Sequence, residues 1–159
     1  QINRSKLPLI RIMPNLNAQI LKSTTAICTN DKVSAELYQL QEITDSFGST
    51  FDIPEKDFDT FTALAGSSPA YIYLFIEALA KAGVKYSIPK EKSLDIVTQT
   101  VLASAENLLQ GSDSPHDLID KISSPGGTTI AGLLDLEKTG LTASVVSSID
   151  ATIAKAKAL

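Results

Sequence analysis

One cysteine, one histidine, one methionine and no tryptophan stand among the 159 residues. With Cys28 alone there is neither an internal disulfide nor a thiolate zinc site, and with His116 alone there is no His-His or Cys-His pair for metal binding or thiol catalysis. Cys28 reads as a small hydrophobe inside a strand, and His116, after Pro115 at a polar helix start, as a surface residue. Basic charge is short as well. Lys and Arg number 14 against 18 Asp and Glu, for a net charge of -4, and no basic cluster alternates with aromatics, which argues against nucleic acid as a partner. The longest strongly apolar run, Ala70 to Ala80, contains Glu77 and is too short to span a bilayer, and no signal-peptide core opens the chain. The sequence therefore reads as cytoplasmic, with no membrane partner. It also lacks an initiating methionine, and Gln1-Ile2-Asn3-Arg4-Ser5-Lys6 reads as the interior of a longer sequence. Heptads, low-complexity segments and internal repeats are missing too.

What is present begins with strands. Leu9 to Met13 reads as a strand stopped by Pro14-Asn15, and Thr25 to Cys28 as a second. Val33, Leu37, Leu40, Ile43 and Phe47 recur at steps of three and four, an amphipathic helix with Asn30 or Asp31 as N-cap and Gly48 past its end. Ser49 to Ile53 is a third strand. Strand, strand, helix, strand over residues 1–53 is too little sheet to stand alone and looks like the last part of an α/β domain.

After Pro54 the pattern is helical. A first helix spans Lys56 to Leu64 with Phe58 and Phe61 on one side, and Gly66-Ser67-Ser68-Pro69 breaks it. Ser68 then caps a second helix, Ala70 to Ala82, that ends at Gly83. Only Glu77 and Lys81 are polar in that segment, and a helix apolar all round must be surrounded, here by its own domain and a partner chain together. Glu77 is expected to be either paired with Lys81 one turn on or exposed, a structural role in both cases. Pro89 opens the longest helix, up to Gly111, and Ser114-Pro115-His116-Asp117 is a capping-box start. Two more helices follow. One runs from Ile130 to Lys138 and stops at Gly140, and Thr142 caps the last, with Val145, Val146, Ile149 and Ile153 inward.

Leading into the first of these two is Ile122-Ser123-Ser124-Pro125-Gly126-Gly127-Thr128-Thr129-Ile130-Ala131-Gly132. The first N–H groups of the helix that follows have no intrahelical partner and carry the positive end of the macrodipole, so a small carboxylate or phosphate fits there. Gly126 and Gly127 leave the main chain accessible, and Thr128 or Thr129 can cap the helix or offer a hydroxyl to the anion. The other reading is a tight turn ending in a capped helix. A phosphate loop is disfavoured, because no Gly-Lys-Ser/Thr follows the glycines.

Three stretches carry a family resemblance: Arg11-Ile12-Met13-Pro14-Asn15; Ala63-Leu64-Ala65-Gly66-Ser67-Ser68-Pro69-Ala70-Tyr71 running into Phe75-Ile76-Glu77-Ala78-Leu79; and Ser124 to Gly132. The chain resembles the C-terminal part of pyrroline-5-carboxylate reductase, with the match extending over most of residues 9–159. It departs from the family at Leu16-Asn17, where Thr-Pro is usual, and at Ser68, where glycine is usual. The resemblance implies a mainly α fold: a helical dimerisation domain of the 6-phosphogluconate dehydrogenase C-terminal kind over residues 54–159. Before it, residues 1–53 would be the last strands and one helix of a truncated Rossmann domain.

The implied activity is hydride transfer from NADPH or NADH to the C=N bond of 1-pyrroline-5-carboxylate, giving L-proline. The substrate carboxylate would be held by the N–H groups of Gly127, Thr128 and Thr129 and by the Thr129 hydroxyl, a hydrogen-bond donor, with Gly126 in the turn and Ile122 and Ser124 lining the loop. No general acid is assigned. Asn15 would lie near the nicotinamide; its other reading is an ordinary turn residue. The implied partner is a second copy, in a homodimer or an oligomer built from it, whose cofactor domain completes the site. No Gly-x-Gly-x-x-Gly occurs here, so the main dinucleotide site falls outside this chain, which by itself is expected to be inactive. A non-catalytic helical dimerisation module is the alternative.

Overall fold

A computed structural model describes residues 7–30 and 36–158, with the backbone alone at 36–38. Asp31 and Val33 therefore lie outside the described residues, and of Leu37 only the backbone is described. The chain divides into two compact units: one runs to Pro69 and includes the residues from Ser148 on, the other is Ala70–Ser147.

The first unit is built on a three-stranded sheet. β1 (Ile10–Met13) pairs antiparallel with β2 (Ser23–Thr29), with Ile12 opposite Ile27. α1 (Glu36–Asp45) then crosses over to β3 (Gly48–Asp52), which runs parallel to β2. β2 is central, and Thr25, Ala26, Ile27 and Cys28 are all buried, as a strand covered on both faces requires. The Asn30 side chain accepts at Oδ1 from the Leu9 N–H and donates from Nδ2 to the Leu7 carbonyl, which ties the end of β2 to the approach to β1; the helix start it was expected to cap lies outside the described residues. On α1, Ile43 is exposed, while Thr44 is buried with its hydroxyl bonded to the Leu40 and Gln41 carbonyls and to Thr50. Gly48 opens β3 rather than trailing the helix. A Cβ there would collide with the backbone of Ser23, so only glycine lets the strands approach this closely.

The segment after Pro54 packs on this sheet. Phe58, Phe61 and Ala65 join Ala26 and Cys28 in one core, with Met13 and Ile53 against it. Arg11 Nη1 donates to Glu55 Oε1 at 2.6 Å, and its guanidinium lies 4.2 Å from the centre of the Phe58 ring. Burial pushes the Cys28 thiol above its ordinary pKa, with Glu55 adding to the effect.

The expected break at Gly66 to Pro69 does not occur. A 3₁₀ turn (Glu55–Asp57), α2 (Phe58–Phe61), a π-turn (Thr62–Ser67) and α3 (Ser68–Lys85) follow one another without interruption. The wider turn absorbs the proline. The Ser68 N–H reaches back to the Ala63 carbonyl, and the Ser68 hydroxyl, far from capping a new helix, donates to the Leu64 carbonyl. The stretch Glu55–Lys85 is thereby long and apolar enough, by length and composition alone, to cross a membrane. Its beginning is nevertheless the part packed on the sheet through Phe58, Phe61, Ala63 and Ala65.

In the second unit α3 is far from surrounded by its own chain. Ile72, Tyr73, Leu74, Phe75 and Leu79 are all exposed, and Ala80 is the helix's buried residue. Gly83 lies inside α3, not beyond it, where a Cβ would collide with the buried Ser93 hydroxyl of α4 (Lys90–Gln110). The helix ends instead in a Schellman motif. Ser87, at φ 71°, takes the left-handed position, with Ile88 N–H on the Gly83 carbonyl and Ser87 N–H on the Val84 carbonyl, both at 3.0 Å. Glu77 pairs chiefly with Lys90 of α4 (2.6 Å) rather than with Lys81 (3.8 Å). α5 (Pro115–Ile122) starts in the predicted capping box, Ser114 and Asp117 each accepting the other's N–H, and His116 is exposed.

α6 spans Thr128–Lys138, and α7 spans Leu141–Lys157. Gly140 (φ 83°), not Thr142, stands at the start of α7, its carbonyl accepting the Ser144 N–H. Val145 and Val146 are exposed rather than inward, while Ile149 and Ile153 are half-buried.

Candidate functional site at the start of helix α6

Ile122, the last residue of α5, is exposed; Ser123 follows it as the C-cap, its N–H on the Asp120 carbonyl at 3.2 Å. The chain then reverses in a turn closed by Gly127 N–H on the Ser124 carbonyl at 3.0 Å. Pro125 and Gly126 occupy the two central positions, and Gly126 takes φ 70°, the left-handed conformation that the third residue of a type II turn requires. Gly127 returns to extended geometry (φ -79°, ψ 173°) and stands as N-cap of α6.

Two expectations for this site need correction. Neither Thr128 nor Thr129 caps the helix: they are its first and second residues, both exposed, and among the described residues no side chain caps α6. Nor is the Gly127 N–H available to a ligand, because it closes the turn. The donors left open by helix geometry are the N–H groups of Thr128, Thr129 and Ile130. The contrast with α5 is chemical. There Asp117 and Ser114 satisfy the helix start, and the Ser114 hydroxyl holds the Asp117 carboxyl below the usual range. At α6 no acidic residue stands in the first turn, so no carboxylate of that turn opposes an incoming anion.

Ser124 and Gly127 are packed on one another. A Cβ on Gly127 would collide with the Ser124 hydroxyl and lie 3.0 Å from the Ser124 carbonyl oxygen, whereas one on Gly126 would meet nothing within 4 Å. Ile122, Ser124, Gly126, Gly127, Thr128 and Thr129 are thus brought together in one exposed turn and helix start. One feature was not foreseen: the Ser123 hydroxyl is buried with no hydrogen-bond partner among the described residues. Composition and spacing carry no signal for it.

Asn15 belongs to the first unit. Its Oδ1 accepts from Asn17 N–H (3.2 Å) and Thr24 N–H (3.3 Å), its Nδ2 donates to the Ala65 carbonyl (2.9 Å), and its own N–H donates to Ser23 Oγ (3.2 Å). The side chain begins the 3₁₀ turn Leu16–Ile20. No group of three or more His, Cys, Asp or Glu among the described residues could hold a metal ion.

Comparisons with known proteins point to one family. Residues 55–159 match the family model described as pyrroline-5-carboxylate reductase dimerisation. The chain is 42% identical over 152 residues to the pyrroline-5-carboxylate reductase of Aquifex aeolicus, which covers 95% of this chain and 57% of that protein. Among crystal structures, the 1-pyrroline-5-carboxylate reductase of Streptococcus pyogenes superposes with a TM-score of 0.92 at 72% identity, over 98% of this chain and 60% of that one. The Plasmodium falciparum pyrroline carboxylate reductase, solved with NADP bound, gives 0.90 at 36% identity over 97% and 62%. The chain thus spans 57% of the length of the first relative and 60% of the second.

Proposed function

Since the chain belongs to the pyrroline-5-carboxylate reductase family, we propose that it is the substrate-binding and dimer-forming part of such a reductase. In this reading residues 1–53 are the remnant of the dinucleotide-binding domain and residues 54–159 form the dimerisation and substrate domain. The whole protein reduces the C=N bond of 1-pyrroline-5-carboxylate to L-proline. NADPH or NADH supplies the hydride, and the residues present here do not form its main site. No Gly-x-Gly-x-x-Gly follows a strand, and the Asn15 side chain is already bonded to Asn17, Thr24 and Ala65.

The observation that carries the proposal is the uncapped, exposed start of α6. A carboxylate there accepts from the N–H groups of Thr128, Thr129 and Ile130 and from the Thr129 hydroxyl, with the macrodipole favouring its charge. Anchoring the carboxylate fixes the plane of the small ring, and orientation is the main service a protein gives a reaction whose hard chemistry comes from a cofactor. No side chain of this loop ionises near neutral pH, so the imine proton arrives with the substrate or through water, and Thr129 acts as a donor rather than an acid. The exposed α3 face of Ile72, Tyr73, Leu74, Phe75 and Leu79 would be covered by a second copy in a homodimer.

The test is Thr129→Ala in the full-length protein. It is expected to raise KM for the imine or lower turnover while the dimer persists; unchanged kinetics would overturn the assignment. The exposed face of α3 on its own also suits a second reading, a dimerisation module without chemistry. A coding sequence upstream of Gln1 with a strand followed by Gly-x-Gly-x-x-Gly would exclude that reading.

A further inference from the structure

Pro69 has no N–H, and it stands where the π-turn passes into α3, so it offers no donor to the carbonyl five residues back, that of Leu64, or to the one four residues back, that of Ala65; the Ser68 hydroxyl takes the first. Ala65 is buried, so its carbonyl cannot turn to water for a partner. The donor it finds comes from fifty residues away: Asn15 Nδ2, at 2.9 Å.

We propose that Asn15 is a positioning residue: its amide replaces the backbone donor that Pro69 lacks, and so holds the π-turn against the end of β1. The amide orientation follows from its partners. Oδ1 faces the two N–H groups of Asn17 and Thr24, and the NH2 faces a carbonyl, so the reverse orientation would set donor against donor and acceptor against acceptor. Neighbouring residues support the same joint. Met13 Sδ lies 3.2 Å from Thr62 Oγ1, and a Cβ on Gly66 would sit 3.3 Å from Met13 Cε, so Met13 lies along the π-turn from its first residue to Gly66, beside the carbonyl that Asn15 bonds. A π-turn at this place is thus held by side chains that substitute for helix bonds: Ser68 on the Leu64 carbonyl and Asn15 on the Ala65 carbonyl.

The test is a double-mutant cycle of Asn15→Ala and Pro69→Ala in the full-length protein, read by thermal unfolding and by steady-state kinetics. Asn15→Ala leaves a buried carbonyl unpaired and is expected to lower Tm by about 5 °C. Pro69→Ala restores an N–H for that carbonyl, so the second substitution should recover at least half of the Asn15→Ala loss, a rescue that general damage to the fold would not give. Asn15→Asp keeps both acceptor bonds but sets a charged oxygen against the Ala65 carbonyl where the donor stood, so it should exceed the alanine loss, and Pro69→Ala should recover only the part due to the missing donor. The kinetic arm alone rests on the reductase reading: KM for the dinucleotide should stay within about threefold in Asn15→Ala. Additive Tm losses in the cycle overturn the proposal, as does a tenfold or larger rise in dinucleotide KM with no change in Tm. An enzyme without reductase activity would sink the functional reading while leaving the thermal cycle able to decide the role of Asn15.

Discussion

Gly126 and Gly127 are neighbours, yet alanine at the two positions should fail in different ways. At Gly126 the backbone sits at φ 70° and a Cβ would have open space, so the cost is that of a left-handed L-residue, ~1–2 kcal/mol, confined to the turn. At Gly127 the backbone is ordinary, at φ -79°, but a methyl would collide with the Ser124 hydroxyl and press on its carbonyl oxygen at 3.0 Å. The hydroxyl can rotate away. The carbonyl cannot, because it accepts the bond that closes the turn, so Ser124 and the first N–H groups of α6 must shift relative to each other. Losing one amide bond to a carboxylate costs about 1.5–3 kcal/mol, or roughly 10- to 150-fold in KM if substrate binding is at equilibrium. Kinetics with 1-pyrroline-5-carboxylate and thermal unfolding of the full-length variants separate the two effects. Gly126→Ala should lower Tm by about 2–6 °C with little change in KM. Gly127→Ala should raise KM tenfold or more with a smaller change in Tm. A normal KM for Gly127→Ala would refute the placement of the carboxylate at this helix start.

Two further perturbations bear on the second unit. The hydrogen bond from Lys90 holds the Glu77 carboxyl below its ordinary pKa, so the stabilisation is present above the unfolded-state value and is lost as pH falls through the folded one. The Tm difference between the parent and Glu77→Gln should therefore be larger at neutral pH than in acid near pH 3; a constant difference would remove the electrostatic explanation. Leu74, 68% exposed in the single chain, should lie under a partner in the homodimer, so Leu74→Asp is expected to give a folded monomer in sedimentation at micromolar concentration. A persistent dimer would place the interface elsewhere.

Local chemistry was legible from residue order. The Ser114/Asp117 capping box, Pro89 ahead of α4, the buried Cys28 and the three strands all follow from signals within a few residues of one another. So did the loop itself, from Ser124 to Thr129, and the resemblance it carries. The helix ends were misread wherever a distant partner decides. Gly83 and Pro69 are helix stops by local rules, yet Gly83 is kept small by Ser93 across the α3–α4 contact, and Pro69 stands second in α3 directly after a π-turn whose Ala65 carbonyl is met by the distant Asn15. The sequence by itself determined where an anion could be met: glycines, then threonines, at the start of a helix. Only the tertiary structure decided which N–H groups are left open there, because the closing bond of the turn takes Gly127 out of the set and leaves Thr128, Thr129 and Ile130, a matter of backbone dihedrals that residue identity alone does not specify.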